Sequence, residues 1–165
     1  MLDRAAYCEL SFSPNLNLIS TVRRFVAEFY ERILGDARMT SRLVVSTHEL
    51  LENAVRYSVD GQSTIRISVE AAEPSTAEVS IETRNRTTPE AIATLRNLLA
   101  EMHAAPERDA FYQTLLRRNA LRDDGSGLGL GRIFAESEMD LSCEFESDLV
   151  RLRAVAHFPL KEIQG

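Results

Sequence analysis

Two clusters of residues in this sequence have the types and spacing to do chemistry. The first is Glu49-Leu50-Leu51-Glu52-Asn53-Ala54-Val55-Arg56-Tyr57-Ser58. On a helix, Glu49 and Asn53 share one face, with Glu52 and Arg56 flanking them and an apolar face opposite. Asn is a poor helix former, so its presence in mid-helix suggests that its side chain has a task. Its carbonyl suits a hard cation such as Mg²⁺. A carboxylate one turn earlier can take a proton from a hydroxyl or water near a γ-phosphate. A lone Glu-x-x-x-Asn reads more simply as a solvated helix face, but this one is followed roughly seventy residues later by a glycine loop.

That loop is the second cluster, Asp123-Asp124-Gly125-Ser126-Gly127-Leu128-Gly129-Leu130-Gly131, and it holds four of the seven glycines. An amphipathic stretch follows. Glycines at a helix start let the backbone approach a ligand, and the free N–H groups and positive dipole end attract an anion. Small residues can equally serve a flexible loop and a tightly packed helix, and both readings stay open. No Lys-Ser/Thr follows, so this is not a Walker A loop, and no strand directly precedes it, so it is not a Rossmann turn.

These clusters need elements to position them. Tyr7 to Phe12 alternates as a first strand, and Ser13-Pro14-Asn15 opens a helix. That helix carries Leu18, Ile19, Val22, Phe25, Val26, Phe29 and Ile33 at helical spacing, and Gly35 ends it. A second helix spans 37–57, and Asp60-Gly61 is a turn. Strands are expected over 64–69 and 77–83, around a Glu73-Pro74-Ser75 hairpin loop. Thr88-Pro89-Glu90 opens a helix to about residue 102, and Ala105-Pro106-Glu107 another to about 121. After a polar loop comes a helix over 128–138, then strands over 141–145 and 149–158. The order β-α-α-β-β-α-α-α-β-β implies an α+β two-layer sandwich, with a mixed, mostly antiparallel sheet and helices on one face.

Composition narrows the function. The chain has 165 residues, 44% of them hydrophobic, and a formal net charge of −6. One domain over 1–165 fits that length. The acidic balance argues against nucleic-acid and membrane-surface binding, since both need a cationic footprint. Cys8 and Cys143 are too few and too far apart for a disulfide framework or zinc motif, and His103 and His157 lack partners at ligand spacing. No apolar run approaches the roughly 20 residues that span a bilayer, and Met1 to Leu10 lacks a signal-peptide core. A cytoplasmic protein is expected. Phe25, Phe29, Tyr30, Phe111 and Tyr112 read as core or interface, and His48, about 100° around the helix from Glu49, as a packing or hydrogen-bonding residue.

Together the two clusters resemble a known superfamily. Glu49 to Ser58 resembles the N box of the GHKL ATPases, and Gly125-Ser126-Gly127-Leu128-Gly129-Leu130 their second glycine box. The element order is similar to the Bergerat (HATPase_c) fold over nearly the whole chain. A single domain most resembles the anti-sigma-factor and partner-switching serine/threonine kinases. The resemblance implies ATP and Mg²⁺ as cofactors, Glu49 as general base and Asn53 as the Mg²⁺ ligand. It also implies backbone amides of Gly125 to Leu130 on the phosphates, with Arg56 near the nucleotide. The implied partners are a regulatory substrate such as a STAS-type antagonist and a sigma factor, and a homodimer is compatible with it.

The first glycine box, Asp-x-Gly-x-Gly, should follow the strand ending near Thr83. The chain instead reads Glu82-Thr83-Arg84-Asn85-Arg86-Thr87-Thr88, with no glycine. Asn85 offers an amide where the superfamily uses a carboxylate toward adenine, and a divergent branch with Asn there and a helical insert looks similar. Residues 84–124 correspond to the nucleotide lid, where weak order is expected. Arg84 to Arg122 holds seven Arg against four acids, which suits a triphosphate. Two other readings follow: a catalytically degenerate, nucleotide-regulated binding module, and the ATPase domain of a histidine kinase. The last ranks lowest because no His-bearing helix precedes the first strand.

Overall fold

The computed structural model of the chain describes residues 5–13, 16–73, 76–120, 127–137 and 139–159. Its elements are β1 (Ala6–Phe12), α1 (Leu16–Leu34), α2 (Ala37–Tyr57), β2 (Ser63–Glu73), β3 (Thr76–Arg86), α3 (Pro89–Ala104), α4 (Arg108–Asn119), α5 (Leu128–Glu136), β4 (Asp140–Glu146) and β5 (Leu149–Pro159). The five strands form one sheet in the order β1-β2-β3-β5-β4. Every neighbouring pair is antiparallel, so the sheet is not mixed. Its strands are joined in ways that reverse direction at each neighbour, so no parallel crossover arises.

Period-two alternation builds the core. Ile67 of β2 faces Ile81 of β3, Ile81 faces Ala154 of β5, and Ala154 faces Leu141 of β4. All four are buried under the helices. The intervening residues form a polar outer face. There Arg66 pairs with Glu9 at 3.3 Å, Arg153 with Glu78 at 3.1 Å and Arg151 with Glu144 at 2.7 Å. An antiparallel sheet wetted on one side produces this division. The helical layer answers with Val26 and Tyr30 of α1, Leu43, Leu50 and Leu51 of α2, and Ile133 of α5.

Local signals set the helix ends. Gly35 at φ 62° closes α1. Asp36 caps α2, its carboxylate accepting from the backbone N–H groups of Arg38 and Met39 at 3.0 Å. Thr88 caps α3 ahead of Pro89, accepting from the Ala91 N–H at 3.2 Å. Pro14, Asn15, Pro74 and Ser75 lie outside the described residues.

Both strands of the central hairpin overrun expectation: β2 runs to Glu73, past Val69 and into the expected loop, and β3 runs to Arg86 instead of stopping near Thr83. Asn85 therefore sits within a strand, paired with Ser63 on one side and Val150 on the other. A strand flanked on both sides keeps its pairing through polar residues because both rows of backbone groups need partners. No described helix is long and apolar enough to cross a membrane.

Candidate functional site

The helix-facing row of β3 and its continuation reads Ala77, Val79, Ile81, Thr83, Asn85, Thr87, turning from apolar to polar as it leaves the core. Thr83, Asn85 and Thr87 remain buried. Above them lies an open cavity with about 750 Å³ of empty space, mouth included. Asn53, Ala54 and Tyr57 of α2 form one wall, and Ala91, Thr94, Leu95 and Leu98 of α3 form another. Val150 and Leu152 of β5 extend the floor, and Gly127 and Leu130 close the end at the start of α5. Among the described residues the lining contains no charged side chain. Apolar walls with a few convergent polar groups are the usual make-up of a small-molecule pocket.

Asn53 is half-buried on the cavity wall, one turn along α2 from Glu49. Asn85 is on the floor, and its amide N–H donates to the Arg86 carbonyl at 3.3 Å. Gly127 takes φ 84° and ψ −6° as the N-cap of α5 and, being glycine, contributes no side-chain capping bond of its own. A left-handed backbone there favours glycine. The amides of Leu128, Gly129 and Leu130 fall in the first turn, where helix geometry provides no intrahelical acceptor. The Gly131 N–H donates to the Gly127 carbonyl at 2.9 Å. Gly125 and Ser126, the other expected phosphate-binding positions, lie outside the described residues.

The three described glycines of this segment each meet a different helix. A Cβ on Gly127 would stand 2.8 Å from Leu98 Cδ2 of α3, and one on Gly131 would stand 2.6 Å from Leu115 Cδ2 of α4. A Cβ on Gly129 would overlap the Glu49 carboxylate of α2. Close packing is thus one use of the glycines. It also brings Glu49 to the first turn of α5, at the edge of the cavity.

Glu49 is largely buried, its side chain 15% exposed. Its Oε1 accepts a hydrogen bond from Arg132 Nη1 at 2.7 Å. Arg132 had no assigned role in the sequence, because its position on the Glu49 side of α5 depends on how two helices cross. Thr83 and Thr87 were legible in principle, since the alternation of β3 extends through them. Arg56 is exposed and absent from the cavity wall, because its position on α2 turns it toward solvent.

The segment 84–124, where described, buries Leu99 and Met102 of α3 and Tyr112 and Leu115 of α4. Its arginines are engaged elsewhere: Arg84 with Glu82 at 2.6 Å, Arg86 with Asp148 at 2.6 Å, and Arg118 with Glu101 at 2.7 Å. Arg108 reaches Asp140 at 2.5 Å, and Arg96 stacks on the Phe145 ring. None of these arginines lines the cavity. Arg122 lies outside the described residues.

His48 approaches Glu52 at 3.5 Å and faces α1, away from Glu49. His103 Nε2 lies 2.9 Å from the Leu141 carbonyl. Among the described residues no group of three His, Cys, Asp or Glu is placed to hold a metal ion. Asn53 as a single protein ligand is compatible with Mg²⁺, which keeps waters and phosphate oxygens in its shell. Burial pushes the Cys143 thiol up to about 12 and raises that of Cys8.

No family model matches the chain, and no curated protein matches it. The fold itself is known. A chain in the crystal structure of the SiaB-SiaC complex from Pseudomonas aeruginosa superposes with a TM-score of 0.71. The match covers 90% of this chain and 89% of that one, at 16% sequence identity. The two share their architecture over nearly their full lengths.

Proposed function

We propose that this chain binds Mg²⁺·ATP in the cavity between α2 and α3 and acts as a serine/threonine kinase on a regulatory protein partner. The observation that carries this reading is convergence. Asn53, the polar end of β3 and the start of α5 line one cavity, and Glu49 stands against the first turn of α5 beside it, although these residues lie far apart in sequence. Thr83, Asn85 and Thr87 would face the base, Asn53 would hold Mg²⁺, and the α5 amides would hold phosphate oxygens. Bound Mg²⁺ would supply charge neutralisation at the phosphates. Glu49 would accept the proton of the acceptor hydroxyl, and the buried walls would exclude water. That SiaB is seen in complex with SiaC supports a protein as the partner. By the motif resemblance to the GHKL partner-switching kinases, an antagonist of STAS type and a sigma factor are the partner classes to test, and a homodimer the assembly.

A second reading has its own support. Among the described residues the cavity lining carries no carboxylate for an adenine amino group, and Glu49 is paired with Arg132. Both features suit a nucleotide-regulated or nucleotide-free binding module.

Calorimetric titration with ATP and ADP, with and without Mg²⁺, decides between the readings. Micromolar, Mg²⁺-dependent binding that Asn53→Ala abolishes is the expected result. Absence of binding at millimolar nucleotide would overturn the kinase reading in favour of the binding module. Given binding, Glu49→Gln should retain nucleotide and lose phosphotransfer. Full transfer by that variant would sink the base assignment.

A further inference from the structure

Glu49 is held from one side of α5 by two residues one helical turn apart. Its Oε1 accepts from Arg132 Nη1, while its Oε2 lies directly over Gly129. The Tyr112 side chain of α4 stands beside the same guanidinium and is the largest influence raising its pKa, and Glu136 approaches it at 4.0 Å. Tyr112 in turn packs on Gly131, so α4 is seated on the glycine segment beside this pair. We propose that Arg132 is a positioning residue that fixes the Glu49 carboxylate at the start of α5 and couples its orientation to α4 through Tyr112. The proposal rests on the kinase reading for its catalytic consequence, but the physical coupling stands on the contacts themselves.

The geometry assigns more than a surface ion pair to Arg132. Its side chain is 44% exposed, and a pair of that exposure contributes only about 0–1 kcal/mol to stability. A planar fork can, however, satisfy two acceptors in fixed directions at once, which an ammonium does poorly. With Oε1 held, Oε2 is the oxygen left at the helix start, where an acceptor hydroxyl would stand. Release of Oε1 frees the carboxylate to rotate without altering the cavity walls that would bind nucleotide. The α4 helix gains a route to the proposed base: displacement of Tyr112 moves the donor that orients Glu49.

The test uses the full chain, with Mg²⁺·ATP as probe and water as the acceptor, so that no protein partner need be known. Arg132→Ala should lower turnover by about 10- to 100-fold, the scale of a misplaced catalytic group, with nucleotide affinity within about twofold. Arg132→Lys should recover part of the loss. Tyr112→Phe, which keeps the ring but removes the hydroxyl, should lower turnover without touching Glu49. Hydrogen exchange in the absence of nucleotide should rise in residues 108–119 for Arg132→Ala and Tyr112→Phe, while exchange in β3 stays unchanged. Unchanged exchange in α4 would overturn the coupling whatever the activity. A rise spread evenly over the whole chain would reduce Arg132 to a stability residue and equally overturn it. If the unaltered protein binds nucleotide but turns over none with water as acceptor, the exchange result alone decides the coupling.

Discussion

Asn53 and the glycines show how single residues divide between binding and packing. Asn53 is half-buried on a cavity wall, so its removal costs no large core contact. Asn53→Ala should leave the unfolding temperature within about 2 °C, since surface-type changes stay within roughly 0.5 kcal/mol. A nucleotide-induced rise in that temperature should vanish with it, as read by thermal shift. Gly131→Ala should do the reverse. Its Cβ would meet Leu115 at 2.6 Å and Tyr112 at 3.1 Å, and such overpacking costs about 1–3 kcal/mol. Urea unfolding should show that loss. Cys143 offers a check on burial: with its thiol pushed up to about 12, alkylation of the folded protein at pH 8 should be slow. Rapid labelling would mean that β4 opens readily.

Among elements, the contact between α3 and α4 is the one most open to titration. Arg118 donates to both carboxylate oxygens of Glu101, at 2.7 and 3.3 Å, and this hydrogen bonding holds the Glu101 carboxyl below its ordinary value of 4.5. A depressed carboxyl contributes stability that is fully present above its unfolded value and lost as pH falls through the folded one. Glu101→Gln should therefore lower the unfolding temperature slightly at pH 7 and make no difference well below pH 4.5. Paired melts at the two pH values check the sign. The cap of α2 is a second such test. Asp36→Ala removes the acceptor of two backbone N–H groups and should cost about 1 kcal/mol.

Across the whole molecule, stability resides on the helix side of the sheet. Ile81 is fully buried between β2, β5 and the helices, and Ile81→Ala should cost about 2–5 kcal/mol. Arg153 on the opposite face is 45% exposed and pairs with Glu78 in reach of solvent, so Arg153→Ala should cost less than about 1 kcal/mol. Denaturant titration of the two variants measures the contrast. A comparable loss in both would mean that the outer face is covered in solution. On the helix side the buried polar residues Thr83, Asn85 and Thr87 line the cavity, which the sheet closes from below.

Much of this was legible in the chain. The element order follows from period-two and period-3.6 patterns and from local signals such as Gly35 and Thr88, because these are short-range effects of backbone sterics and capping. The Glu49–Asn53 face was readable for the same reason, since one helical turn fixes their relation. The end of β3 was not, because Asn85 stays in strand through pairing with Ser63 and Val150, partners remote in sequence. Nor could the sequence choose between the two readings of the glycine segment. Only the crossing of α5 with α2, α3 and α4 decided that Gly127, Gly129 and Gly131 each admit a neighbouring helix. That crossing also placed Arg132 on Glu49 and left Arg56 in solvent. Spacing along a helix determines which residues share a face; what that face meets is decided by packing between distant segments.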